Sequence, residues 1–252
     1  MYSAVAFLSG LPLTDLLPEM EQFYGLMEFR KQRGVMNLFC PYRQVCLNFI
    51  GDADDPLVLT GKAMNEEKAL HEAVESGMLT IYLLKAMIAV YMNRPKEGSK
   101  CFERLRRCDQ TALAGFGIHL QAFLEGVMEV ELARNRSKKR LAHARKYLKI
   151  LTKFSQRSPS LRHRRLIVEA EIATLTKGIA SALNIFDKAI DAAEAEGTLN
   201  ECALACELAG RACLHHGVKS AASEYYARAL AGYERWGSRL KTDHLKELLF
   251  TS

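Results

Sequence analysis

No apolar run in this chain approaches the roughly 20 residues that a bilayer-spanning helix requires, so a membrane is not an expected partner. The opening MYSAVAFLSG has a short apolar patch but no basic n-region and no cleavage site, which argues against secretion. Proline and glycine are scarce: 6 and 16 among 252 residues are too few for a turn-rich all-β protein of this length. There is no CxxC pair. The seven cysteines are an odd number, and they lie inside helix-periodic stretches rather than in loops. Free thiols in a reducing cytoplasm fit that usage better than a disulfide framework does.

The motifs of common catalytic sites are missing as well. A phosphate loop needs G-x-x-x-x-G-K-[ST], so that backbone N–H groups and a lysine surround the phosphates. The nearest stretch, DPLVLTGKAM, has Pro56 at the first glycine position and Ala63 in place of the Ser/Thr that would hold magnesium. It reads as a loop preceding a helix. Cys202, Cys206, Cys213, His215 and His216 invite a zinc reading. Cys206 and Cys213 would lie about 10 Å apart along a helix, whereas zinc–sulfur bonds are about 2.3 Å. Core cysteines are the better reading. His71, His119, His143, His163 and His244 are scattered, with no partner at catalytic spacing in the sequence, and no GxSxG or HExxH occurs. Neither an enzyme activity, a cofactor nor a metal site is expected.

One sign of charge is missing locally. Between Leu132 and Val168 there are thirteen Lys/Arg residues and no Asp or Glu, which leaves 22 basic against 29 acidic residues elsewhere. The net charge of +6 is therefore concentrated in one segment. On a helix over 137–155, Leu141, Ala144, Leu148 and Leu151 make the buried stripe. Lys138, Lys139, Arg145, Lys149 and Lys153 then face solvent, and Arg162, Arg164 and Arg165 follow. This set is a candidate docking patch for an acidic protein partner or a phosphate. The plainer reading, a solvated face compensated by acids on neighbouring hairpins, is the preferred one. Nucleic acid is disfavoured, because aromatic stacking residues are sparse in the segment.

What the sequence does have is helical periodicity. Apolar residues recur at i, i+3, i+4 and i+7 nearly everywhere, and no stretch alternates with period two. About eleven helices are expected, after a partial one at the start. They span 14–33 (Thr14 as N-cap, Gly34 as stop), 37–50, one long helix from Asn65 to about Met92, 96–107, 110–133, 137–155, 163–177, 179–196, 200–215, 218–236 and 239–249. The expected class is all-α, an α-solenoid of antiparallel tetratricopeptide-like hairpins forming a single domain over 1–252. Gly210, Gly217, Ala222, Tyr226 and Ala229 have the spacing of such a repeat, with small residues admitting the partner helix and an aromatic filling the groove. Ala182, Phe186 and Ala189 reproduce the pattern 40 residues earlier, and Gly98, Phe102 and Leu105 echo it more weakly. The clearest repeats are 163–199 and 200–237. AVAFLSGLPLTDLLPEM reads as the back half of one helix and a full second one, as in a fragment of a longer array.

The stretch from LIVEAEIATLTKGIASALNIFDKAIDAAEAEG to NECALACELAG and YERWG resembles the helical-repeat region of large STAND/AAA-type ATPase signalling proteins. PYRQVCLNFIG and DPLVLTGKAMNEE look like the same region, so the similarity covers most of the chain. It departs from the family in CLHHG, where an aromatic is usual, and in an Arg-rich 157–165 connection. In these proteins a serine/threonine-kinase-like domain and the ATPase precede the repeats, and a GAF domain and a histidine kinase often follow. The resemblance implies a cytoplasmic, non-catalytic regulatory arm in signal transduction, whose protein partner is the ATPase or kinase of its own system. A free-standing tetratricopeptide-type adaptor is the alternative.

Overall fold

A computed structural model describes residues 2–108 and 116–251. Among these residues there are thirteen α-helices, one 3-10 turn and no strand, so the chain is all-helical. The residues divide into two compact units. One comprises Met1–Ala114 with Tyr233–Ser252, and the other comprises Gly115–Gly232.

The first unit holds α1 (Tyr2–Leu8), α2 (Leu13–Phe29), α3 (Arg33–Phe49), α4 (Glu66–Glu72), α5 (Glu75–Tyr91), α6 (Pro95–Leu105), the end of α12 (Lys219–Trp236) and α13 (Arg239–Thr251). Its centre is aromatic. Phe49 lies 4.8 Å from the Trp236 ring and 5.5 Å from Tyr91, and Phe7 stacks at 6.2 Å on Trp236. Clusters of this kind contribute beyond their buried area. Ser238 donates to the Phe49 carbonyl at 2.9 Å, and the fully buried Lys241 ammonium donates to the Tyr91 carbonyl beneath the Tyr233 ring. The C-terminal segment is thus part of this core.

Several helix boundaries differ from those expected, and the expected helix start at 110 lies outside the described residues. The helix from Asn65 to Met92 is two helices, broken where Ala73 and Val74 take extended ψ values of 138° and 164°. Nineteen residues of continuous helix would hold Glu66 and Lys85 about 28 Å apart, yet the two form an ion pair. The break folds α4 back on α5, and the Glu66 carboxylate also accepts from the Leu59 N–H at 2.7 Å. Asn65 caps α4 as expected, accepting from the Lys68 N–H at 2.9 Å. Gly34 is not the stop of α2. Lys31 takes the left-handed conformation at φ 53°, and Gly34 lies in the first turn of α3. Thr14 is not the N-cap either, since Pro12 precedes the first helical residue, Leu13.

The second unit holds α7 (Phe116–Ala133), α8 (Lys138–Arg157), α9 (Arg162–Thr176), α10 (Ile179–Ala195), α11 (Leu199–His215) and the first part of α12. Successive helices pack on one another, and α7 also packs on α9. Ala182, Phe186 and Ala189 of α10 are buried, as are Ala222, Tyr226 and Ala229 of α12. In the first unit Gly98, Phe102 and Leu105 of α6 are buried too, so all three occurrences of the motif serve as core. Gly178, Gly197 and Gly217 end α9, α10 and α11 with positive φ, a conformation that glycine adopts without steric cost.

Gly210 carries the closest helix contact that the motif anticipated. A Cβ placed there would sit 3.1 Å from the Tyr226 ring. Gly210→Leu should therefore destabilise the chain by about 1–3 kcal/mol through overpacking. Thermal melting followed by circular dichroism checks this. An unchanged melting temperature would mean that the α11–α12 interface tolerates the added volume.

Candidate functional site

Among the described residues, α8 is both the longest helix and the most basic. Ser137 starts it, its hydroxyl accepting from the Arg140 N–H at 3.4 Å. Ala144 and Leu151 are buried against the neighbouring helices, with Leu141 and Leu148 half-buried beside them. Lys138, Lys139, Arg145, Lys149 and Lys153 are exposed on the other side, and so are Lys146 and Arg157. At 3.6 residues per turn these seven side chains fall within an arc of about 120° and run along about 28 Å of helix. Among the described residues, no carboxylate lies within ion-pair distance of any of them.

The rest of the acid-free segment is partly neutralised by acids that flank it or come from other helices. Arg134 bonds Glu131 at 2.6 Å and Glu171 at 3.0 Å, and Arg140 bonds Glu129 at 2.8 Å. Arg165 is half-buried and bonds Glu169 one turn on at 2.5 Å, whereas Arg162 is exposed at the start of α9. Arg164 does not belong to the surface patch. It is buried, its Nε–H donating to both Glu201 carboxylate oxygens at 2.8 and 2.9 Å. The physical reason is its helix: α9 is covered on most of its circumference, so an arginine in its first turn is enclosed with an acid rather than solvated.

Around that pair the structure assembles a polar cluster from α7, α9 and α11. His163 Nε2–H donates to Glu201 at 2.5 Å, and Arg164 donates to His119 Nδ1 at 2.6 Å. The two histidines, scattered in sequence, thus share one network. Burial is the largest influence on Glu201 and pushes its carboxyl up. Arg164 and the hydrogen bond from His163 outweigh burial and hold the pKa down, at about 2. Burial, reinforced by the Arg164 guanidinium, lowers His119 to about 4. His119 therefore stays neutral at physiological pH, its Nδ1 lone pair accepting from Arg164.

Both shifts have the same sign for stability. Each group binds protons more readily in the unfolded chain, where His119 returns to about 6.5 and Glu201 to about 4.5. The contribution of His119 is complete above about pH 6.5 and is lost as pH falls towards 4. That of Glu201 is complete above about 4.5 and is lost as pH falls through 2. Melting temperature should decline from about pH 6.5 downwards, most steeply between about 4.5 and 4, where the two windows overlap. His119→Gln, which keeps an acceptor but cannot titrate, should flatten the decline between pH 6.5 and 4.5. A melting temperature constant from pH 7 to 4 would contradict this assignment.

The other candidate chemistry takes structural roles. Lys62 of the DPLVLTGKAM loop pairs with Asp52 at 2.6 Å, and the Gln44 side chain accepts from the Ala63 N–H at 2.9 Å. The buried Asn48 amide holds the Pro56 and Val58 carbonyls, so the loop is pinned to α3. Cys206 and Cys213 are buried on α11, while His215 and His216 are exposed. Among the described residues, no three His, Cys, Asp or Glu side chains converge as metal ligands, and no helix is long and apolar enough to cross a membrane. In comparisons with known proteins, no family model, curated protein or solved structure matches the chain.

Proposed function

We propose that this chain is a non-catalytic, cytoplasmic interaction arm of a STAND-type ATPase–kinase signalling system, and that α8 is its docking face. The carrying observation is the seven-residue basic face on α8, exposed along its length and without a carboxylate partner among the described residues. The resemblance in LIVEAEIATLTKG…YERWG supports the assignment to a signalling system. The equivalent burial of the motif residues in α6, α10 and α12 supports reading the helices as a solenoid of repeated hairpins. In such an arm the binding energy comes from surface complementarity, and the chemistry belongs to the partner.

The test is to add the chain in trans to the ATPase module of its own system. Expected are association that weakens as salt rises and ATP turnover that depends on the module alone. ATP hydrolysis by the isolated chain, or association indifferent to salt, would overturn the reading.

A further inference from the structure

The distal half of the α2–α3 hairpin is unlike the rest of the described surface. From Glu21 to Cys40 no side chain is buried. Five large apolar residues are exposed there: Phe23, Leu26 and Phe29 at helical spacing on α2, and Val35 and Leu38 on α3. Phe29, at the end of α2, is 84% exposed, the highest value among the exposed large hydrophobic residues. Five large apolar side chains exposed on one hairpin end are more than the scattered single exposures that need no explanation.

The charge at the hairpin turn identifies what it fits. Arg30, Lys31 and Arg33 are all exposed in the turn beside Phe29. Glu28 is the only carboxylate between Gln22 and Gly51. A second copy of the chain docking symmetrically through this patch would bring two basic turns together, which opposes self-pairing. An apolar partner carrying negative charge at its boundary satisfies both features at once. An anionic lipid surface has that chemistry: phosphate and carboxylate headgroups for the cations, and an acyl boundary about 5–10 Å deep for the apolar side chains.

We infer that the α2–α3 turn is a peripheral contact for anionic membrane surfaces, with Phe29 and Leu26 entering the interface and Arg30, Lys31 and Arg33 held at the headgroups. This contact requires no spanning helix. It is independent of the docking role of α8, and its test reads the turn locally.

The full chain carrying Phe29→Trp is mixed with vesicles of phosphatidylcholine containing about one-third phosphatidylserine, and with vesicles of phosphatidylcholine alone. The only native tryptophan, Trp236, is fully buried, so the change relative to wild type reports the turn. A blue shift and co-sedimentation are expected with the anionic vesicles and not with the neutral ones. Each cation at the surface is worth about a fivefold change in partition. Adding Arg30→Glu, Lys31→Glu and Arg33→Glu should therefore reduce binding at least about 100-fold with helicity unchanged. Unshifted emission overturns the inference, whether or not the protein sediments with the vesicles, since sedimentation alone would place the contact elsewhere. A blue shift with neutral vesicles overturns it, as does one that grows with protein concentration without lipid, which would assign the patch to self-association.

Discussion

Glu201→Ala should lower the melting temperature by about 10 °C, because it leaves a buried guanidinium without its counter-charge. The Glu201 carboxylate takes hydrogen bonds from Arg164 and from His163, and all three residues are buried. The net value of such an intact pair is modest, because desolvation offsets much of the attraction. Removing one partner is different: Arg164 would keep its desolvation cost and lose the compensating charge, a change of about 3–5 kcal/mol. Glu201→Gln should fall between wild type and Glu201→Ala, since its carbonyl oxygen still accepts but the negative charge is lost and the NH2 group that replaces the second oxygen cannot accept. Melting followed at the helical band gives the order directly. If Glu201→Ala melted with the wild type, the cluster would have no part in holding α9 and α11 together.

This cluster also marks the limit of reading the sequence. Period-3.6 patterning locates most helices, because each helix buries a stripe that its own residues spell out. Ala182, Phe186 and Ala189 were legible as core for that reason, and so was the Leu141–Leu151 stripe of α8. His119, Arg164 and Glu201 are separated by 45 and 37 residues, and no local pattern connects them. By charge alone, Arg164 looks like its neighbours Arg162 and Arg165. The distinguishing signal lies in the stretch LIVEAEIAT that follows it, which is apolar around most of the helix and therefore covered on several sides.

The break between α4 and α5 was hidden for a related reason. The local pattern continues through Ala73 and Val74, and the partners that accompany the break, such as Lys85 for Glu66, lie many residues away. Trp236 was legible as part of a motif, but not as the centre of a core shared with Phe7, Phe49 and Tyr91, which lie far away in sequence. Contacts made by chain-distant residues leave no period to read.

Reversing Lys138, Lys139, Arg145 and Lys149 to Glu should slow association with the partner module by about 10- to 100-fold at low salt, within the range that electrostatic steering supplies. The difference from wild type should shrink as ionic strength rises, because exposed charges are screened beyond a Debye length of about 8 Å at 0.15 M. Dissociation should change less, since surface charges act mainly on encounter. The helix itself should not suffer, because the substitutions leave Leu141, Ala144, Leu148 and Leu151 in place. Lys138 and Lys139 occupy the first turn of α8, which has no acidic residue, and there the positive end of the helix dipole opposes a cation. Glutamates at those two positions would favour the helix. Helix stability therefore gives no reason for lysines at this end. A reversed protein that associates as fast as wild type would reduce the face of α8 to solvated charge, whereas slowed association with unchanged helicity would make it the docking surface.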